Sequence, residues 1–248
     1  MTTAPPRPPA LSALWTLPGV YAPQADTHLL ARVLGDEPIG PGTRVLDLCT
    51  GSGALALLAA LRGAHVSATD LSWRAVLSAR LNAARARQRV RVLRGDLSGP
   101  VRGQRFDLVL SNPPYVPAPG PVRGRDHSTA LAWDAGPGGR QTLDRVCAHA
   151  GRVLSAHGVL LLVHSGMCRT EETLRRLAEA GLRGEVADRC HVPFGPVTRA
   201  RLGWLREEGL RVAARGRAAE GRRGDGGTGG DPCRTQVSGR RGTRRCPA

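Results

Sequence analysis

The chain has 248 residues and a formal net charge of +16, a length that supports one sizeable core rather than two. No apolar run is long enough to span a membrane, since Leu55 to Leu61 ends at Arg62-Gly63, and Met1 to Pro9 lacks the basic-then-apolar layout of a secretory leader, so a soluble, cytoplasmic protein without a membrane partner is expected. All 36 basic residues are arginine and Ile39 is the single isoleucine, the mark of a GC-rich coding bias, so the charge permits acidic partners such as RNA without requiring one.

Residues 1–16 form a proline-rich lead-in with little to order it. Next comes Tyr21-Ala22-Pro23-Gln24-Ala25-Asp26-Thr27, in which Asp26 or Thr27 can cap a helix whose apolar residues Leu29, Leu30, Val33 and Leu34 follow helical spacing. From its residues alone this is an amphipathic helix packing on a core.

Arg44 to Leu48 reads as a buried strand that enters the turn Cys49-Thr50-Gly51-Ser52-Gly53 and then an alanine/leucine helix, Ala54 to Leu61. This is the first half of a βαβ unit, and the glycines let backbone approach a nucleotide-like cofactor at the helix N-terminus. Both a methyl-donor site and a dinucleotide site begin this way, although Gly51-Ser52-Gly53-Ala54-Leu55-Ala56 lacks the third glycine of the dinucleotide pattern. A second strand, His65 to Asp70, ends in an acid that is placed to accept from two ribose hydroxyls, or more simply to cap the helix that begins at Ser72-Trp73. A third, Val90 to Arg94, runs into Gly95-Asp96-Leu97. Successive strands ending in an acid or a glycine turn build one crevice at their carboxyl ends.

Phe106 to Leu110 is a fourth strand, and it delivers Ser111-Asn112-Pro113-Pro114-Tyr115 to its end. Each proline pushes the residue before it out of the helical region, so the carbonyls of Asn112 and Pro113 point in fixed directions. The Asn112 side-chain oxygen and a neighbouring carbonyl can accept both hydrogens of one planar NH2 group, with the Tyr115 ring as a face for it to lie against. The target is an amide or an exocyclic base amine.

Asn112-Pro113-Pro114-Tyr115 resembles the signature of class I S-adenosylmethionine (SAM) methyltransferases that modify planar nitrogens, and the ordered set of motifs over residues 17–210 is most similar to the HemK type, in its eukaryotic-type branch. The resemblance implies an α/β fold: a single doubly wound, seven-stranded, mostly parallel sheet, Rossmann-like, finished by a C-terminal antiparallel hairpin. It implies Asn112, Pro113, Pro114 and Tyr115 as the catalytic set. For the SAM cofactor it implies Thr27, Asp47, Cys49, Gly51, Gly53, Asp70, Asp96, Leu97 and Asn112, with Asp96 on the adenine amino group. Cys49 stands where the family has a glycine, and a left-handed backbone there would be strained. The implied substrate is a glutamine in the Gly-Gly-Gln loop of a peptide-chain release factor. A small activating subunit, used by some eukaryotic relatives, is compatible with the sequence and not implied by it. An adenine or cytosine amino methyltransferase, or a SAM- or RNA-binding module without turnover, stays open as an alternative.

Pro117 to Gly139 is a proline- and glycine-rich loop or lid, within which Trp133 resembles a residue of the same branch and is placed to line a substrate mouth. A helix (Thr142 to Leu154), a buried strand ending at His164 and a helix (Glu171 to Ala180) follow. Two further strands, Glu185 to Val192 and Arg201 to Arg206, are expected to pair as the hairpin. Residues 211–248 are arginine- and glycine-rich and are expected to stay disordered; weak RNA contact through this tail is permitted, but coding bias accounts for the same composition. The six cysteines lie far apart with no C-x-x-C pair, so neither a metal site nor a disulfide framework is expected.

Overall fold

The computed structural model describes residues 11–121, 132–210 and 230–241. Five strands form a parallel sheet in the order β3-β2-β1-β4-β5: β1 (Arg44–Leu48), β2 (His65–Asp70), β3 (Val90–Arg94), β4 (Phe106–Ser111) and β5 (Leu154–Ser165). The strands are almost continuously apolar because both faces are covered. Val45, Leu108, Leu110, Leu161 and Val163 pack with α1 (Ala25–Asp36), α2 (Ala54–Leu61) and α3 (Trp73–Arg85) on one face. Leu46, Leu48, Val109, Leu160 and Leu162 pack with α4 (Gln141–Val153) and α5 (Thr170–Glu179) on the other. Alternate residues of one strand thus serve different layers, which is what a doubly wound α/β unit requires.

β1 pairs with β2 on one side and β4 on the other, so the chain leaves the carboxyl ends of β1 and β4 in opposite directions and a crevice opens between them. The turn after β1 enters α2 through Gly53, whose φ of 83° lies in the left-handed region. A Cβ there would stand 2.9 Å from the Ala79 Cβ on α3. Glycine therefore sets both the turn and the closeness of the two helices.

One expected element is corrected. Arg201 to Arg206 is not a strand: α6 (Pro196–Ala200) and α7 (Leu202–Glu207) occupy that region. Pro196, in the first turn, presets the helical φ, and Leu205 is fully buried. The expected hairpin partner of β6 (Leu182–Pro193) is replaced by the backbone of β7 (Gly230–Arg241), antiparallel to β6 and to β5. β7 falls inside the 211–248 stretch expected to lack order; residues 211–229 and 242–248, the lead-in 1–10, and loop residues 122–131 lie outside the described residues. Among the described residues no helix is long and apolar enough to cross a membrane.

Gly53→Ala should lower the unfolding free energy by about 2–4 kcal/mol, from left-handed strain together with overpacking against Ala79; a denaturant titration with an unchanged midpoint would contradict this packing account.

Candidate active site

A pocket of about 390 Å³ opens at the carboxyl ends of β1, β2, β3 and β4, and Thr27, Cys49, Gly51, Asp70, Asp96, Leu97, Asn112, Pro113, Pro114 and Tyr115 all line it. Its size is that of a small-molecule site. Two of the sequence-derived residues stand apart. Gly53 forms the floor of the turn as the residue before α2, and Asp47 is buried beneath it.

The glycine turn is built around two acids. Asp47 Oδ2 accepts from the Thr50 hydroxyl (2.6 Å) and the Ala56 amide (3.1 Å), while its Oδ1 is buried without a partner. Burial pushes the Asp47 carboxyl up to about 7, against those two hydrogen bonds and reinforced by the charge of Asp70. Its place in the structure is support of the turn. Asp70, at the end of β2, accepts the Gly51 amide on Oδ2 and the Ser72 amide on Oδ1, both at 2.9 Å. Ser72 itself caps α3, its hydroxyl accepting from the Ala75 amide, so Asp70 is not the cap. Burial raises its carboxyl too. With one amide on each oxygen, both oxygens keep lone pairs toward the pocket for a diol.

Cys49 has φ 58°, the left-handed geometry that makes a side chain strained at this position. Its thiol is pushed well above its ordinary range by burial and by Asp70 and Asp47, which keeps it protonated and unreactive. Leu97 also has positive φ, 43°, and is buried at the pocket wall. Asp96 is half exposed and paired with Arg145 of α4.

Asn112 is half-buried at the end of β4. Its Nδ2 donates to Thr27 Oγ1 at 3.3 Å, which fixes the plane of the amide and points Oδ1 away from Thr27. Thr27, read from the sequence as a cofactor contact, thus also orients the clamp. The segment after Tyr115 is held by backbone pairing of Val116 with Trp133 and Ala135, and of Ala118 with Gly136. Arg201 ties it further, donating to the Pro117 carbonyl (3.1 Å) and Asp134 Oδ1 (2.6 Å). Trp133 does line the pocket, edge-on to Tyr21 with ring centroids 4.7 Å apart.

Sequence reasoning missed Tyr21, Asp26 and the α6 residues Val197 and Thr198, which also line the pocket. Asp26 is in the first turn of α1 after the N-cap Gln24, and the backbone amide it accepts from is that of the next residue, Thr27. The available signal was that Tyr21 and Tyr115 are the only two tyrosines in the chain and both sit beside motif residues. His164 is fully buried, its Nδ1 on the Ser165 carbonyl; burial pushes it down to about 4, so it is a neutral core residue.

Parallel strands, a glycine turn and an acid at the next strand end define a nucleotide-cofactor α/β fold, and comparison with known proteins gives the methyltransferase kind. The family model described as methyltransferase small domain matches residues 12–122. A putative protein N5-glutamine methyltransferase of Methanocaldococcus jannaschii is 32% identical over 178 residues, 71% of this chain and 88% of that protein. A release factor glutamine methyltransferase of Bordetella pertussis is 38% identical over 67% of this chain and 64% of its own length, so the chain spans less than two thirds of that relative. Among solved structures, the E. cuniculi Mtq2–Trm112 complex, responsible for methylation of the eRF1 translation termination factor, superposes with a TM-score of 0.60 at 24% identity, over 90% of this chain and 99% of that one. The chain belongs to the HemK-type family of protein N5-glutamine methyltransferases.

Asp47 carries a pH signature. A carboxyl raised from 3.8 to about 7 binds more protons folded than unfolded, so its contribution to stability falls as pH rises from about 4 to about 7, by on the order of 4 kcal/mol, and is flat above. Asp47→Asn should remove that slope, its stability relative to wild type improving between pH 4 and 7 in paired denaturant titrations; parallel stability curves would contradict it.

Proposed function

We propose that the protein is a SAM-dependent methyltransferase acting on the side-chain amide nitrogen of a protein glutamine, in the Gly-Gly-Gln loop of a peptide-chain release factor, in the cytoplasm. The observation that carries the reading is the Asn112 clamp: its amide orientation is set by Thr27, and the two prolines hold its backbone and that of Pro113 in place. The names of the relatives support the acceptor.

The pocket fits SAM by its chemistry. Asp70, acceptor-only and anchored by two backbone amides, suits the ribose hydroxyls; Leu97 and Asp96 suit the adenine ring and its amino group; Gly51, with φ 55°, lets the turn approach the amino-acid portion. When bound, SAM supplies an electrophilic methyl group. An amide nitrogen is a poor nucleophile because its lone pair is delocalised into the carbonyl. Asn112 Oδ1 and the Pro113 carbonyl accept its two N–H groups, which steers the lone pair as the nitrogen pyramidalises. Pro114 fixes the direction of the Pro113 carbonyl, and Tyr115 offers the flanking ring. Alignment of this kind supplies several of the ~7–11 kcal/mol available to well-oriented intramolecular reactions.

The same proposal takes residues 17–210 as the catalytic unit, and a seven-stranded sheet with an antiparallel pair at its end as completed by β7 from beyond that unit; the backbone register of β7 with β5 and β6 supports this. The basic tail needs no RNA role in this scheme, and an activating subunit is a separate question of assembly.

Full-length protein incubated with radiolabelled SAM should label an intact release factor and leave its loop Gln→Ala mutant unlabelled, whereas label on total RNA alone would move the acceptor to a base amine. Asn112→Ala should cut kcat by about 10²–10³-fold, the scale of losing one hydrogen-bonding group that acts at the reacting centre, with the calorimetric affinity for SAM retained; near-wild-type turnover would sink the clamp.

A further inference from the structure

Asp26 is completely buried, and both tyrosines of the chain converge on it. The Tyr21 hydroxyl donates to Asp26 Oδ1 at 2.5 Å and the Tyr115 hydroxyl to Oδ2 at 2.6 Å. The Tyr21 ring packs edge-on against Trp133, while its backbone reaches the cofactor side. Tyr21 lies over the glycine turn, since a Cβ on Gly51 would meet the Tyr21 carbonyl oxygen at 3.6 Å and its Cβ at 3.9 Å. Tyr115 belongs to the acceptor clamp. The residue after Asp26, Thr27, orients Asn112. A single helical turn therefore supports the cofactor side through one tyrosine, and the acceptor side through the other tyrosine and Asn112.

Helix capping does not account for this arrangement. The first turn of α1 takes no side-chain cap from Gln24, and the backbone amide that Asp26 accepts from is that of neighbouring Thr27, at 2.7 Å. Burying a carboxylate is costly without strong donors. The Thr27 amide and hydroxyl donate to it from the next residue, and two tyrosine hydroxyls reach it from separate segments of the chain, five and 89 residues away.

We propose that Asp26 is a positioning residue for methyl transfer: its two carboxylate oxygens lock Tyr21 to Tyr115, so that alignment of the acceptor amide depends on closure of the 19–27 segment over the cofactor turn. The inference rests on the reading of Asn112 and Tyr115 as the acceptor clamp. Asp26 itself touches neither reactant in this scheme. Its loss leaves the pocket-facing groups of Asn112 and Asp70 in place but releases their mutual geometry, and small misplacements of reacting groups are expensive.

The test compares full-length wild type with Tyr21→Phe, Tyr115→Phe, their double variant, and Asp26→Asn, which keeps the shape and removes one acceptor oxygen. Each tyrosine variant keeps its ring and should fold even where Asp26→Asn does not. Each single variant should lower kcat per titrated active site about tenfold, with KM for SAM within about threefold and the double variant no worse than the poorer single, because both hydroxyls act through one carboxylate. Turnover within twofold of wild type, losses that multiply in the double variant, or a drop in melting temperature with unchanged kcat per site would each overturn the inference. A turnover-free arm uses S-adenosylhomocysteine, which should slow amide exchange at Val116 and Ala118 in wild type and fail to do so in Tyr21→Phe; slowing that survives in that variant overturns the coupling. Kinetics are read on whichever acceptor the wild type methylates. An acceptor other than glutamine then counts against the proposed reaction alone, and unaffected variants count against Asp26 alone.

Discussion

The register of β1 against β4 is the constraint on which the site depends. Leu48 pairs with Ser111, and the buried Ser111 hydroxyl donates to the Leu48 carbonyl at 3.1 Å. The residues that follow these two are Cys49, which starts the glycine turn, and Asn112, which starts the clamp. Parallel pairing with side chains alternating between two buried faces admits no one-residue slip, because a slip would turn every core side chain to the wrong layer. A cofactor turn and an acceptor clamp 63 residues apart in sequence are thereby fixed side by side by the packing of a sheet interior.

Around that line the protein uses buried acids in three different ways. Asp47 supports the turn from below and is held by one hydroxyl and one amide, at the expense of an unpartnered oxygen. Asp70 faces the pocket, each oxygen anchored by a backbone amide. Asp26 is enclosed by two tyrosine hydroxyls and the Thr27 amide. All three are carboxylates at the carboxyl edge of the sheet or facing it, yet their hydrogen-bond partners make one a support, one a ligand-facing acceptor and one a connection between segments. An excess of arginine does not enter this: in the described residues the acid partners nearest the reactants are amides and hydroxyls, and the ion pairs, such as Asp96 with Arg145, lie toward the rim.

The glycine positions show how tightly the turn is drawn. Gly53 cannot carry a Cβ without meeting Ala79, and Gly51 donates its amide to Asp70 from a left-handed conformation. Cys49 adopts the same backbone region without the freedom of glycine, so this chain keeps the family's turn by bearing local strain. The thiol faces the pocket wall and is held protonated, which lets a small residue stand in for glycine without adding a reactive group.

The five parallel strands, the helices between them and the residues at their carboxyl ends were legible in the sequence, because each rests on local patterns: short apolar runs for strands buried on both faces, helical spacing for the layers, glycine and proline where the backbone turns. Of the residues read as the site, those at strand ends came together, since strand ends in a parallel sheet share one edge. The fold decided what local pattern does not encode. Arg201-Leu202-Gly203-Trp204-Leu205-Arg206 alternates well enough for a strand, and became a helix because Pro196 starts a helical run and Leu205 buries there. The backbone that pairs with β6 comes from a stretch with little strand propensity, chosen by the free ladder groups of β5 and β6. Asp26 looked like a helix cap, because a cap is a matter of neighbours in sequence. Its actual partners are two tyrosines, one of them 89 residues away, and only the three-dimensional path of the chain brings a buried carboxylate and its distant donors to within hydrogen-bonding distance.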